Sequence, residues 1–189
     1  ALPISVEQLS SALAEAGVSC EGLAVAIWTT TPWTLPANLA VAVNGRLDYS
    51  ICQSSSGGQL IVASDLVESL SQQLELKLKP LQQVKGEALE GLTYRHPLLQ
   101  RSSPVVIGGD YITTEAGTGL VHTAPGHGVD DFNTGRKYDL PVLCPVDEGG
   151  WLTEEAGPFA GLNVLKDANT AIISALHAAR ARRAEGRDE

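Results

Sequence analysis

The 189-residue chain contains no methionine, not even at position 1. A complete natural chain begins with one or has had it removed. The start Ala1-Leu2-Pro3-Ile4 also lacks the basic and apolar stretches of a secretory signal. The chain therefore reads as a piece of something larger. Cysteine is scarce: Cys20, Cys52 and Cys144 are far apart, odd in number and form no CxxC pair. That disfavours a disulfide scaffold and a cysteine-rich zinc site. No apolar run reaches the ~18 residues of a membrane span. Positive charge is scarce too, with 13 Lys and Arg against 22 Asp and Glu and a net charge of −9. Phosphate affinity rests on Lys and Arg, so the chain makes a poor stand-alone nucleic-acid binder. Apolar residues make up 43%, enough for a core, and the length suits one domain better than two.

The pattern predicts a helix over residues 5–16, with Val6, Leu9 and Leu13 on one stripe and Gly17 as its stop. Residues 22–31 form a short β-rich run. Pro32 and Pro36 then predict a bent loop without regular structure. Short strands are expected at 39–43, 49–53 and 60–63, separated by Asn-Gly and Ser-Gly-Gly turns. Residues 65–76 read as helical, and 80–99 resist assignment. Strands are expected at 105–114, 120–123 and 142–146, and helices at 129–138 and 167–181. The last of these places Ile172, Ile173, Leu176 and Ala179 on one face. Short strands dominate without βαβ regularity, which points to an α+β fold with the sheet curled into a barrel and flanking helices. We expect residues 1–184 to form a single domain and 185–189 a charged tail. Residues 178–189 hold four arginines, which could meet RNA; they also suit the end of a helix, where cations complement the dipole.

Two segments carry chemistry. In Trp28-Thr29-Thr30-Thr31-Pro32-Trp33-Thr34-Leu35-Pro36-Ala37-Asn38, three hydroxyls leave a strand in succession and a rigid turn follows. Strand alternation would point Thr29 and Thr31 one way and Thr30 the other. Hydroxyls donate and accept, so a cluster can hold a water or a ribose hydroxyl. Threonine also simply favours strands and caps, and Trp28 and Trp33 could be plain core. The second segment, residues 117–131 (GTGLVHTAPGHGVDD), brings His122 to a strand end. It then loops through Pro125-Gly126-His127-Gly128 to Asp130 and Asp131 in the first turn of a helix. Carboxylates there suit the helix dipole whatever else they do. Folded back towards His122, Asp131 would instead meet a substrate ammonium. Two His and two Asp this close raise a metal site, but the spacing is not HExxH and no further ligand completes a set.

Together the two segments, roughly ninety residues apart, resemble the inserted (CP1) editing domain of isoleucyl-tRNA synthetases. Weaker similarity runs through residues 104–114 and 141–164. The valyl and leucyl types carry an arginine in the threonine-rich peptide where this chain has Thr31-Pro32-Trp33. The valyl type also tends to have lysine where this chain has His122. No HIGH, KMSKS or GxGxxG motif occurs, so the chain lacks the parts that activate amino acids and should not aminoacylate. The resemblance implies hydrolysis of valine mischarged on isoleucine tRNA, and of valyl adenylate, in a pocket too small for isoleucine. One methylene is worth only about 1–3 kcal/mol in a hydrophobic pocket, so a second sieve is needed.

By the same resemblance Asp131 holds the substrate ammonium, and His122 shapes the side-chain pocket. Thr29, Thr30 and Thr31 surround the adenosine, its ribose and the attacking water, Asn38 lines the site, and Trp33 is a wall or support. Asp130 is read as a helix N-terminal acid. There is no GxSxG elbow and no reactive-cysteine context, which favours positioned water over a covalent nucleophile. No metal or cofactor is expected for editing; ATP and Mg belong to the absent catalytic part. The expected partners are the acceptor end of the tRNA and the remainder of the parent synthetase, with no membrane and a monomeric isolated domain. A bacterial cytosol or an organelle would both suit. Three alternatives stay open: a metal-dependent hydrolase, a non-enzymatic binder of aminoacyl or adenosine groups, and a valyl- or leucyl-type editor of another ester.

Overall fold

A computed structural model describes residues 2–184. The tail expected at 185–189 lies outside the described residues. Among the described residues, nine strands form one mixed sheet in the order β6-β4-β5-β2-β1-β7-β8-β3-β9, flanked by four α-helices. The α+β expectation holds. The barrel-like expectation holds in outline, but the ladder does not close: β6 (Leu78–Lys85) and β9 (Leu120–Thr123) are its ends. The sheet curls far enough that Trp28, just past β2 (Leu23–Ile27), makes an isolated parallel bridge to Val121 in β9.

The first prediction to fail is the helix over 5–16. Residues up to Gln8 belong to β1 (Leu2–Gln8), which runs antiparallel to β2. Ile4 and Val6 alternate into the core, and β-branched Val6 suits a strand better than a helix. Only α1 (Ser11–Glu15) is helical, with the Ser10 hydroxyl accepting from the Leu13 N–H at its start. Gly17, at φ +74°, ends the turn as expected. Residues 80–99 resisted reading because β6 is an edge strand. It exposes most of its side chains and carries Pro80 beside a bulge in its pairing with β4 (Asp48–Ser54). A 3₁₀ turn and β7 (Thr93–Arg95) follow.

Residues 142–146 form no strand. Val146 makes only an isolated bridge to Leu152, Val142 is 59% exposed, and Pro141 and Pro145 lack the N–H a ladder needs. The segment with Pro32 and Pro36 is more regular than expected: it is a 3₁₀ helix, Pro32–Ala37, entered through a proline whose missing N–H costs nothing at a helix start. The strand expected at 105–114 is β8 (Ser102–Ile107), starting earlier and ending before Gly108. The helical expectation over 65–76 narrows to α2 (Val67–Gln73), preceded by a 3₁₀ turn. Helices α3 (Val129–Lys137) and α4 (Ala168–Ala184) fall where expected, but Ile173 faces outward while Ile172 is buried.

Strand β3 (Ala40–Val43) lies between parallel β8 and antiparallel β9 and is buried throughout. Its Val41 and Val43 join the main core, while Ala40 and Ala42 join a smaller cluster with Val106 and Ile112. Burial on both faces explains its unbroken apolar run. Tyr49 of β4 is wholly buried. Its hydroxyl donates to the Gly119 carbonyl (2.7 Å) and accepts from the Asn44 N–H (3.0 Å). Gly119 sits at φ +77°, where a Cβ would fall 2.3 Å from that of Ala63. Only glycine lets the turn before β9 pass so close to β5 (Gln59–Ala63). Among the described residues no helix is long and apolar enough to cross a membrane.

His96 is a second internal brace. Its Nε2–H donates to the Leu35 carbonyl (2.8 Å), and its Nδ1 accepts from the Leu98 and Leu99 N–H groups. Burial, against the help of the Leu35 carbonyl and with that of Arg101, pushes its pKa down to about 4. A histidine depressed in the folded state stabilises the fold above the ordinary 6.5, and that contribution is lost as pH falls from 6.5 towards 4. Between pH 7.5 and 5 His96 should cost the fold about 2 kcal/mol. Urea unfolding at the two pH values checks this: His96→Gln should flatten the acid dependence, and an unchanged slope would refute the assignment. Gly119→Ala should lower stability at pH 7.5 by about 3 kcal/mol, from left-handed strain plus the clash with Ala63, measured as a shift in urea midpoint.

Candidate functional site

Antiparallel pairing places His122 opposite Val41, and the bridge at Trp28 sets the end of β2 beside the same strand. The threonine peptide and the histidine segment therefore meet. A cavity of about 390 Å³ opens between them, lined by Thr29, Thr30, Thr31, His122 and Asp131 among others. All three threonines line it. The expected alternation does not apply, because the strand has already ended at Ile27. The Thr29 hydroxyl accepts from the Thr31 N–H (3.1 Å), so its own proton can point at a ligand or a water.

Asp131 lies in the first turn of α3 and folds back on the end of β9. Its Oδ2 accepts from the Ala124 N–H at 2.8 Å. The carboxylate is half-buried, and among the described residues no ion pair includes it. Burial raises its pKa, the Ala124 N–H opposes that, and neighbouring Asp130 adds to it. A partly desolvated carboxylate with one oxygen tied to the backbone is suited to meet a cation. Asp130 is exposed and does not line the cavity.

His122 is buried and closes one side. Thr34 Oγ1 stands 2.9 Å from its Nε2, and Asn38 Nδ2 stands 2.8 Å from its Nδ1. Burial first, then the nearby His96 and His127, lower its pKa to about 4. The imidazole is therefore neutral at physiological pH. The cavity wall includes the carboxylates Asp131 and Glu115 but no Lys, Arg, Ser or Cys.

Two expected site residues do not line the cavity. Asn38 is wholly buried behind His122, where it bonds that ring, the Ala40 carbonyl and the Tyr94 hydroxyl. The amide ends the 3₁₀ helix and turns into the core, away from the open side. Trp33 stands edge-on to His127, with ring centroids 5.2 Å apart, and its N–H donates to Asn169 Oδ1 of α4. It supports a lining residue from behind. Conversely, Trp28 is 48% exposed and lines the cavity, so it is not plain core. Thr34 and His127 line it as well. Thr34 could have been suspected from its place three residues after Thr31 within the motif; Tyr94 gave no local signal. Among the described residues no three His, Cys, Asp or Glu side chains are grouped to hold a metal ion.

A family model described as "Leucyl-tRNA synthetase, editing domain" matches residues 16–174. The isoleucine--tRNA ligase of Parasynechococcus marenigrum is 72% identical over 159 residues, covering 84% of this chain and 16% of that protein. That of Synechocystis sp. is 61% identical over 160 residues, covering 82% and 16%. The chain thus spans 16% of the length of these curated relatives. In three dimensions the crystal structure of GlLeuRS-CP1 matches with a TM-score of 0.69 at 17% identity, over 95% of this chain and 96% of that one. The P. knowlesi cytosolic leucyl-tRNA synthetase editing domain matches with a TM-score of 0.69 at 12% identity, over 94% and 92%. At such identities the structural likeness speaks for the fold. The chain belongs to the aminoacyl-tRNA synthetase editing-domain family that this model describes, and its sequence relatives are isoleucine--tRNA ligases.

Proposed function

We propose that this chain hydrolyses the ester of valine mischarged on isoleucine tRNA. The observation that carries the reading is the shared cavity: the hydroxyls of Thr29, Thr30 and Thr31, the half-buried Asp131 carboxylate, which has no ion-pair partner among the described residues, and the neutral His122 face the same space. Asp131 takes the α-ammonium of the acyl group. His122 bounds the acyl side chain and leaves no room for a further methylene. The threonine hydroxyls hold the terminal ribose and the water.

The reaction is addition of water to the acyl carbonyl carbon. The carbon–oxygen bond to the ribose then breaks, with the proton passing to the ribose oxygen and free valine released. In this proposal water itself is the nucleophile, placed by the threonine hydroxyls. A wall without Lys or Arg favours the ester over the adenylate. In the ester the phosphate sits at the far, 5′ side of the nucleoside, whereas in the adenylate it adjoins the acyl carbonyl. Valyl adenylate is thus the secondary substrate in this proposal. No cofactor or metal takes part. The remainder of a parent synthetase supplies the main tRNA contacts, which fits the net charge of −9 on this chain.

Two variants test the assignments. Asp131→Asn keeps an oxygen for the Ala124 N–H but removes the charge. A charged hydrogen bond is worth about 1.5–3 kcal/mol, so kcat/KM for valyl-tRNA should fall about 10- to 100-fold, and an unchanged rate would remove the ammonium role. His122→Ala should let isoleucyl-tRNA in, narrowing the valyl-to-isoleucyl rate ratio at least about tenfold on the scale of one methylene. Continued rejection of isoleucine, measured as release of labelled amino acid, would contradict the sieve. Side-by-side assays with threonyl-tRNA decide between this substrate and that of another editor.

A further inference from the structure

Four side chains, two in the cavity wall and two behind it, form one directed chain of hydrogen bonds. The Tyr94 hydroxyl donates to Asn38 Oδ1 at 2.6 Å. The Asn38 amide nitrogen has two protons, and both are placed: one goes to the Ala40 carbonyl (2.9 Å) and the other to His122 Nδ1 (2.8 Å). An amide nitrogen only donates, so Nδ1 must carry a lone pair. At the other end, the single proton of the Thr34 hydroxyl goes to the Thr31 carbonyl (2.8 Å). Its oxygen is left to accept from His122 Nε2, 2.9 Å away. Each link has one consistent direction, and together they write a single proton state onto His122: neutral, with the proton on Nε2.

We propose that Tyr94, acting through Asn38, is a positioning residue that locks His122 as the Nε2–H tautomer, so that His122 serves the pocket as a wall and not as a base. Both ring nitrogens are engaged by the protein. Neither is left for a proton of the attacking water or of the ribose. To become charged, the ring would need an acceptor at Nδ1. That requires the Asn38 amide to turn over, which breaks its bond to Ala40 and sets its nitrogen against the donating Tyr94 hydroxyl. The surroundings agree. The imidazoles of His96 and His127 disfavour a charge on His122, and the Arg101 guanidinium donates to the main-chain carbonyl of Asn38 close behind it. The carboxylates that line the same cavity, Asp131 and Glu115, would favour an imidazolium; neither is hydrogen-bonded to the ring. A fixed proton state also fixes the ring plane, and hence the dimension of the pocket that His122 sets.

The role in discrimination rests on the editing proposal; the proton state does not. The test uses the full chain with isotope-labelled histidine and reads the ring nitrogens by NMR from pH 8 to 5, with the His122 signal identified by its loss in His122→Gln. In the wild type, His122 should carry its proton on Nε2 throughout and show no titration near 6.5. In Tyr94→Phe the Asn38 amide loses the partner that orients it. His122 should then populate both tautomers, and its midpoint should rise into the range scanned. The same variant should narrow the valyl-to-isoleucyl hydrolysis ratio about fivefold. Should Tyr94→Phe not fold, Asn38→Asp makes the same point, since a carboxylate can only accept and should draw the proton to Nδ1. A wild-type His122 protonated at Nδ1 or titrating near 6.5, or a Tyr94→Phe ring unchanged in tautomer and midpoint, overturns the proposal. A locked His122 in a chain that releases no valine leaves the lock standing and overturns the editing reading.

Discussion

The parallel bridge between Trp28 and Val121 is the contact on which the pocket depends. Two segments that are distant in sequence supply the hydroxyls and the carboxylate, and neither forms a cavity alone. The bridge exists because the open sheet curls until the end of β2 reaches β9, its own far edge. Tyr49 and Gly119 allow that approach, one by tying the turn before β9 to β4, the other by having no Cβ where β5 passes. The pocket is a consequence of sheet curvature.

Electrostatics divide the site into two halves. On one side Asp131 keeps a charge that is partly desolvated and has no cationic partner among the described residues, a state that is costly until a cation arrives. On the other, His122 is held neutral by burial and by a full set of hydrogen bonds. On the reading we propose, Asp131 meets the cationic group of the substrate and His122 bounds the apolar one beside it. That is the chemistry of an α-amino acyl group, and it is achieved with no cation in the lining.

Much of the fold is legible in the linear pattern, and the exceptions share a cause. Strands β2 to β5 and helices α3 and α4 follow from apolar runs and turn residues. The start of the chain misleads because Val6, Leu9 and Leu13 mimic a helical stripe while Ile4 and Val6 equally satisfy a strand. The choice is made by β2, which offers a partner that residues 2–8 cannot announce. Edge strand β6 is hidden for the opposite reason: it buries so little that its composition carries no signal. At residues 142–146, apolar side chains suggest a strand that the flanking prolines and the lack of a neighbour deny.

The sequence by itself determined which residues can do chemistry here, because the threonine run and the His-Asp segment are local patterns whose functional groups can be read one by one. It also determined the α+β class and the acidic balance. Only the tertiary structure decided which of those groups share a cavity. It moved Asn38 and Trp33 behind the wall, brought Trp28, Thr34 and His127 to it, and placed Tyr94 where it can act on His122. The reason is physical: a side chain's type is written at its own position, but its direction and hydrogen-bond partners are set by strands far away in sequence, whose pairing no local pattern encodes.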